Sequence, residues 1–294
     1  MQLALTGATG FVGRHVIRLA VRRGYEVIAF TRNPAQTVHD CIGTRAFSPG
    51  TPPDLSGCNA VIHLAGENVA GLWTRGKMQR IRESRVLGTR QIAEAIRTSS
   101  HPPEVLVSAS AIGFYGDSGE AEINEDSPGG AGFLADTCRE WEREAIAAES
   151  HCRTVRARIG LVLGRRGGAL RMMLPFFRLG LGARIGNGRQ WLSWIHAEDL
   201  ASLLLFAVEN LDVRGAMNAT APWPVRNAEF TRTLARSVRR PAFLAVPAPV
   251  LRLLLGEFSR ELLDSKRVLP AAATGHGFGF RFSELAPALA DITA

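Results

Sequence analysis

The stretch TGATGFVG, residues 6–13, does most to narrow what this chain can fold into. It joins a short apolar run, residues 2–5, to the helical stretch RHVIRLAVRRG, and YEVIAF, residues 25–30, follows as a second apolar run. Strand, glycine turn, helix and strand in about 30 residues make a βαβ unit. Gly7, Gly10 and Gly13 fall at a GxxGxxG spacing where the strand ends and the helix begins. Glycines there let the backbone approach a pyrophosphate closely, and the helix N-terminus offers free N–H groups and its positive dipole end. Gly7, Thr9, Gly10, Phe11, Val12 and Gly13 are therefore candidate cofactor contacts; the alternative is a tight turn with no ligand.

The end of the second run carries the next signal. An NAD enzyme usually has Asp or Glu there, for the hydroxyls of the adenosine ribose. This chain has Thr31, Arg32 and Asn33, with no acid. The planar donor fork of Arg32 suits a 2′-phosphate. Thr31 and Arg32 thus point to NADP in preference to NAD, the plainer reading of Arg32 being a solvated surface arginine.

Further strands are predicted near residues 60–64, 104–108 and 154–159, with a long amphipathic helix over 77–97. Strands alternating with helices predict an α/β fold with a doubly wound parallel sheet, a Rossmann domain over residues 1–165. Beyond it come glycine-rich turns and proline-bounded helices. Residues 166–294 read as a smaller, mostly helical substrate-side cap, with some segments returning to the sheet. His196 precedes the helical EDLASLLLFAVEN and is expected to cap it or to pack.

Composition limits the partners. The chain has 294 residues, 46% hydrophobic and 21% charged, as for a globular enzyme. No apolar run approaches the roughly 20 residues that span a bilayer, and MQLALTG lacks the basic start of a signal peptide. The reading is a cytoplasmic protein with no membrane partner. The net charge is +8, but the cationic residues are almost all arginine, with Lys77 and Lys266 the only lysines, and they are spread along the chain. No nucleic-acid partner is expected from such a distribution. Cys41, Cys58, Cys138 and Cys152 form no CxxC, which predicts reduced thiols and no metal site. The expected partner is a small molecule, and the expected state a monomer or homodimer.

TGATGFVG, the HLAG of residues 63–66, LGT at 87–89 and the later WIHAEDLA resemble the extended short-chain dehydrogenase/reductase superfamily of epimerases and dehydratases. Within it, AGEN, SASAIGFYGD, WEREA, LPFFRLGLG, GRQWLSWIH and GHGFGFRFSEL are similar to an atypical branch, the epimerase family proteins, and the likeness runs the whole length. The resemblance implies that Leu64, Ala65 and Gly66 line the cofactor. It also sets Arg85 where the superfamily often has asparagine, so that Arg85 meets cofactor phosphate or a substrate anion, or else forms a plain salt bridge.

The superfamily's proton chemistry belongs to a YxxxK pair, in which lysine holds the ribose and lowers the tyrosine pKa. This chain has two tyrosines. Four residues after Tyr25 comes Ala29, and four after Tyr115 comes Gly119. Aligning Glu142 with the glutamate that commonly follows the motif leaves Leu134 in the tyrosine's place and Cys138 in the lysine's. The usual relay is missing. Three residues remain as catalytic candidates: Ser110, at the end of the serine-bearing strand; Tyr115, as a relocated acid or base, or else a residue that lines the cleft or packs; and Glu67, as an acid or base if partly desolvated.

Overall fold

The computed structural model describes residues 1–48, 50–165 and 167–294. Seven strands form the main sheet: β1 (Gln2–Thr6), β2 (Glu26–Thr31), β3 (Gly43–Ala46), β4 (Ala60–His63), β5 (Val105–Ala111), β6 (Arg153–Ile159) and β7 (Gly215–Ala219). They lie in the order β7-β6-β5-β4-β1-β2-β3, and every neighbouring pair is parallel. The order reverses between β1 and β4, and an open α/β sheet binds its ligands at such a reversal, beyond the carboxyl ends of the strands.

Four helices cover the sheet: α1 (Phe11–Arg22) packs with α4 (Ala197–Glu209) on one face, and α2 (Arg75–Thr98) with α3 (Phe133–Ile146) on the other. With both faces covered, the central strands are apolar almost throughout, and alternate residues serve opposite cores. Leu3 and Leu5 join Val16, Ile62 and Leu204 in one core, while Ala4 joins Phe30, Ile92 and Leu106 in the other. His196 caps α4: its Nδ1 accepts the Glu198 N–H at 3.2 Å, one of the two roles its position predicts. Glu198 and Asp199 follow in the first turn, where the helix dipole favours negative charge.

Two features depart from the sequence reading. β3 has no apolar run and was not anticipated; it is an edge strand, half exposed, held only by β2. β7 and α4 lie beyond residue 165, yet β7 pairs with β6 and α4 packs on α1 and β5. The cap has its own core, in which Leu170, Leu174, Phe230, Leu234 and Leu289 meet. It is less purely helical than expected, for it also contains short paired strands such as Ala183–Ile185 with Leu244–Val246. Among the described residues, no helix is long and apolar enough to cross a membrane.

Candidate active site

The turn after β1 is built around its glycines. Gly7 has φ +68°, and a Cβ on it would stand 2.9 Å from the Leu64 carbonyl carbon and oxygen. Only glycine lets β1 and the β4 loop come this close. A Cβ on Gly13 would collide with the Gly7 carbonyl oxygen, so Gly13 allows α1 to start against the turn. Gly10, the α1 N-cap, has no side-chain cap, and the first turn has no acidic residue. The opening N–H groups of α1, those of Phe11, Val12 and Gly13, thus lack side-chain partners and suit an anion. Thr9 is exposed beside them. The Phe11 ring turns away, against the backbone of Gly164, Gly167 and Gly168.

Thr6 and His63, which sequence reasoning passed over, set the loop opposite. Thr6 Oγ1 accepts the N–H groups of Leu64 at 3.0 Å and Ala65 at 3.1 Å, and lies 2.7 Å from His63 Nδ1. With two donors already on its oxygen, the Thr6 hydroxyl proton is directed at Nδ1, and His63 Nε2 is buried with no hydrogen-bond partner among the described residues. Complete burial pushes the His63 pKa down to about 4, so the ring is neutral at pH 7. Leu64, Ala65 and Gly66 are thereby held across the switch point, facing the glycine turn. At the end of β2, Thr31 accepts the Asn33 N–H at 3.2 Å, while Arg32 is exposed and forms no ion pair among the described residues.

The other half of the crevice lies beyond β4 and β5. Lys77 Nζ meets Glu67 Oε1 at 2.7 Å, and this contact lowers the Glu67 pKa. The desolvation that would make Glu67 an acid at neutral pH is outweighed; it is a paired carboxylate. Arg85 donates to the carbonyls of Glu67 (3.0 Å) and Ile81 (3.1 Å), and its guanidinium lies 5.2 Å from the Trp141 ring centroid. It has no carboxylate in salt-bridge contact among the described residues, so the plain salt bridge is not formed. Leu134 packs on Gly113, where a Cβ would be 3.1 Å from its own. Burial pushes the Cys138 thiol up to about 12, so it supplies neither a thiolate nor a cation.

Ser110 and Tyr115 are both buried, in one hydrogen-bonded network. Tyr115 is 3% exposed. Its hydroxyl donates to Asn218 Oδ1 at 2.7 Å and accepts from Arg158 Nη1 at 2.8 Å. Arg158 forks onto Glu142, Nε to Oε1 at 2.8 Å and Nη2 to Oε2 at 2.9 Å. Ser110 donates to the same Oε1 at 2.7 Å. Asn218 continues the chain to the Leu269 carbonyl at 2.9 Å. Burial raises the Tyr115 pKa above its ordinary value. The phenol is thus buried, hydrogen-bonded on both sides and harder to ionise. The Arg158 guanidinium also lies 3.7 Å from the Phe114 ring centroid. Glu142, Arg158 and Asn218 carried no signal of this, because their partners are far away in sequence.

Between sheet and cap, a crevice is walled by Trp73, Gly113, Phe133 and Leu134 on the sheet side. Its cap wall carries Glu257, Arg260, Glu261 and Asp264. Behind them Lys266, 5% exposed, holds Glu261 at 3.2 Å. Among the described residues that line this crevice, the ionisable groups all come from the cap. No group of three or more metal-binding side chains occurs among the described residues.

Residues 3–219 match a family described as NAD dependent epimerase/dehydratase, and residues 246–292 match a domain of unknown function. The epimerase family protein YfhF of Bacillus subtilis is 40% identical over 299 residues, covering 100% of this chain and 98% of that protein. The human epimerase family protein SDR39U1 is 36% identical over 299 residues and covers 100% of both. A crystal structure of the human protein with NADPH superposes with a TM-score of 0.93 at 35% identity, covering 100% of this chain and 99% of that one. A UDP-N-acetylglucosamine 4-epimerase from Bacillus cereus, 19% identical with a TM-score of 0.78 over 100% of this chain and 98% of its own, shares the fold.

Proposed function

Because the chain belongs to the NAD-dependent epimerase/dehydratase family, we propose that it binds NADP(H) across the β1–β4 switch point. In this reading it acts as an oxidoreductase or epimerase on a small polar, sugar-like substrate. One observation carries the cofactor choice: Arg32, unpaired and exposed, stands at the end of β2, where an acid would favour NAD. The relative crystallised with NADPH supports the same choice.

When bound, the cofactor supplies a hydride; the chain's residues bind and orient. The N–H groups that open α1 take the pyrophosphate, Arg32 takes the 2′-phosphate, and Leu64–Gly66, held by Thr6, form the facing wall. Arg85, packed against Gly66, would meet cofactor phosphate or a substrate anion. Four free cysteines fit a reducing cytoplasm.

A second reading, a catalytically silent NADP(H)-binding sensor or partner-binding module, draws support from the buried hydrogen bonds that occupy Ser110 and Tyr115. Both readings share the cofactor test. Calorimetry should give NADPH at least several-fold tighter binding than NADH, and Arg32→Ala should remove most of that gap, as for a lost charge-assisted contact. Equal affinities in the unaltered protein would reject the assignment. Turnover of nucleotide sugars or small carbonyl compounds with NADPH separates the enzyme from the silent binder.

A further inference from the structure

The expectation of no membrane partner rested on the lack of a spanning segment, and a peripheral contact needs none. The cap carries exposed apolar side chains that no described residue covers. After helix Leu170–Arg178 the chain exposes Leu179, 73% accessible, and Leu181; Phe176 stands exposed within that helix. Phe243 is 90% exposed just before strand Leu244–Val246, and Leu253 is 86% exposed on helix Ala248–Leu255. The two stretches adjoin, for Ala183–Ile185 pairs with Leu244–Val246 and Arg240 Nε donates to the Arg178 carbonyl at 3.0 Å.

Charge on these stretches has a single sign. Residues 166–197 and 230–256 contain no Asp or Glu at all. Arg171, Arg178, Arg184, Arg239, Arg240 and Arg252 are exposed among the apolar side chains, and none is in an ion pair among the described residues. On the sheet side Arg23, Arg82, Arg90 and Arg97 each hold a glutamate, while others such as Arg14, Arg18 and Arg32 stand exposed without one, so what sets the cap stretches apart is the want of acids beside exposed leucine and phenylalanine.

We propose that this cap face docks on the surface of an anionic lipid bilayer. Leucine and phenylalanine side chains enter the boundary between headgroups and acyl chains, and the arginines meet lipid phosphates, whose geometry fits a guanidinium fork. A second copy of the chain is a poorer occupant, because two such faces would set arginine against arginine. Nucleic acid would satisfy the arginines but leave the exposed leucines and phenylalanines in water.

The test uses the full-length chain and vesicles of phosphatidylcholine, either alone or mixed with phosphatidylglycerol. Co-sedimentation should show binding to the mixed vesicles, little to the neutral ones, and release at high salt. Leu179→Ser with Leu253→Ser, and separately Arg184→Gln with Arg252→Gln, should each weaken binding roughly tenfold or more. All four side chains are exposed, so thermal unfolding and NADPH affinity should stay as in the unaltered protein. Failure of the unaltered protein to bind, equal binding to neutral vesicles, or undiminished binding by both variants overturns the proposal. So does a dimer in sedimentation velocity that the leucine variant dissociates, which would make a second copy the occupant.

Discussion

His63 gives the fold an acid sensitivity whose size follows from its environment. The ring is fully buried in β4, with a pKa of about 4 against an ordinary 6.5. Because the folded-state pKa is depressed, the unfolded chain takes up the proton first as pH falls. Stability is complete above pH 6.5 and is lost between 6.5 and about 4. Each pKa unit is worth about 1.36 kcal/mol, so the whole effect is about 3 kcal/mol, of which about 2 kcal/mol is already lost at pH 5. His63→Asn keeps an acceptor for the Thr6 hydroxyl but cannot titrate. Both proteins should be unfolded in urea at pH 7.5 and pH 5, with the linear extrapolation applied at each. The asparagine variant should be less stable at pH 7.5, because it underfills a packed site, yet the unaltered protein should lose about 2 kcal/mol more than the variant on acidification. His15 and His196, whose pKa values are also lowered, titrate in both proteins and cancel in the comparison. Equal losses in the two would refute the assignment of a neutral, desolvated His63.

Two more substitutions separate architecture from cofactor binding. Tyr115→Phe strands Asn218 Oδ1 and one Arg158 donor, and should cost roughly 1–3 kcal/mol in denaturant unfolding while leaving NADPH affinity within about twofold. Turnover that collapses in a stable Tyr115→Phe protein would show that the phenol does chemistry after all. Gly10→Val places a branched side chain at the mouth of the α1 turn; calorimetry should show NADPH binding lost while circular dichroism keeps its folded signature. A folded variant with unaltered affinity would reduce the glycine pattern to a turn.

Much of this fold was legible because a parallel sheet repeats one local pattern. Apolar runs, a glycine turn and intervening helices announced β1, β2, β4, β5 and β6, each within a few residues of its bounds. β3 was not legible, since GTRA has neither alternation nor an apolar run and takes its shape from pairing with β2. β7 was hidden differently: GAMNA reads as a loop until it is known to return beside β6. The glycine turn and Arg32 could be picked out as candidates because their spacing relative to β1 and β2 carries the signal. The environment of Tyr115 could not, because Arg158 lies 43 residues away and Asn218 103 residues away. No local pattern records such a contact. Likewise Glu67 looked free to act as an acid until Lys77, 10 residues on, proved to be its partner.

The late return of β7 also governs how the chain emerges from the ribosome. When β6 has been made, its outer edge has no neighbour, and Arg158 and Tyr115 wait for an asparagine 60 residues downstream of Arg158. At about 5–20 residues per second, the nascent sheet stays open on that side for several seconds. Throughout that interval a strand of sequence RTVRARI offers unpaired backbone to any passing chain. Arg153 and Arg156, neither of them in an ion pair among the described residues, set like charge along that edge, a defence suited to the wait.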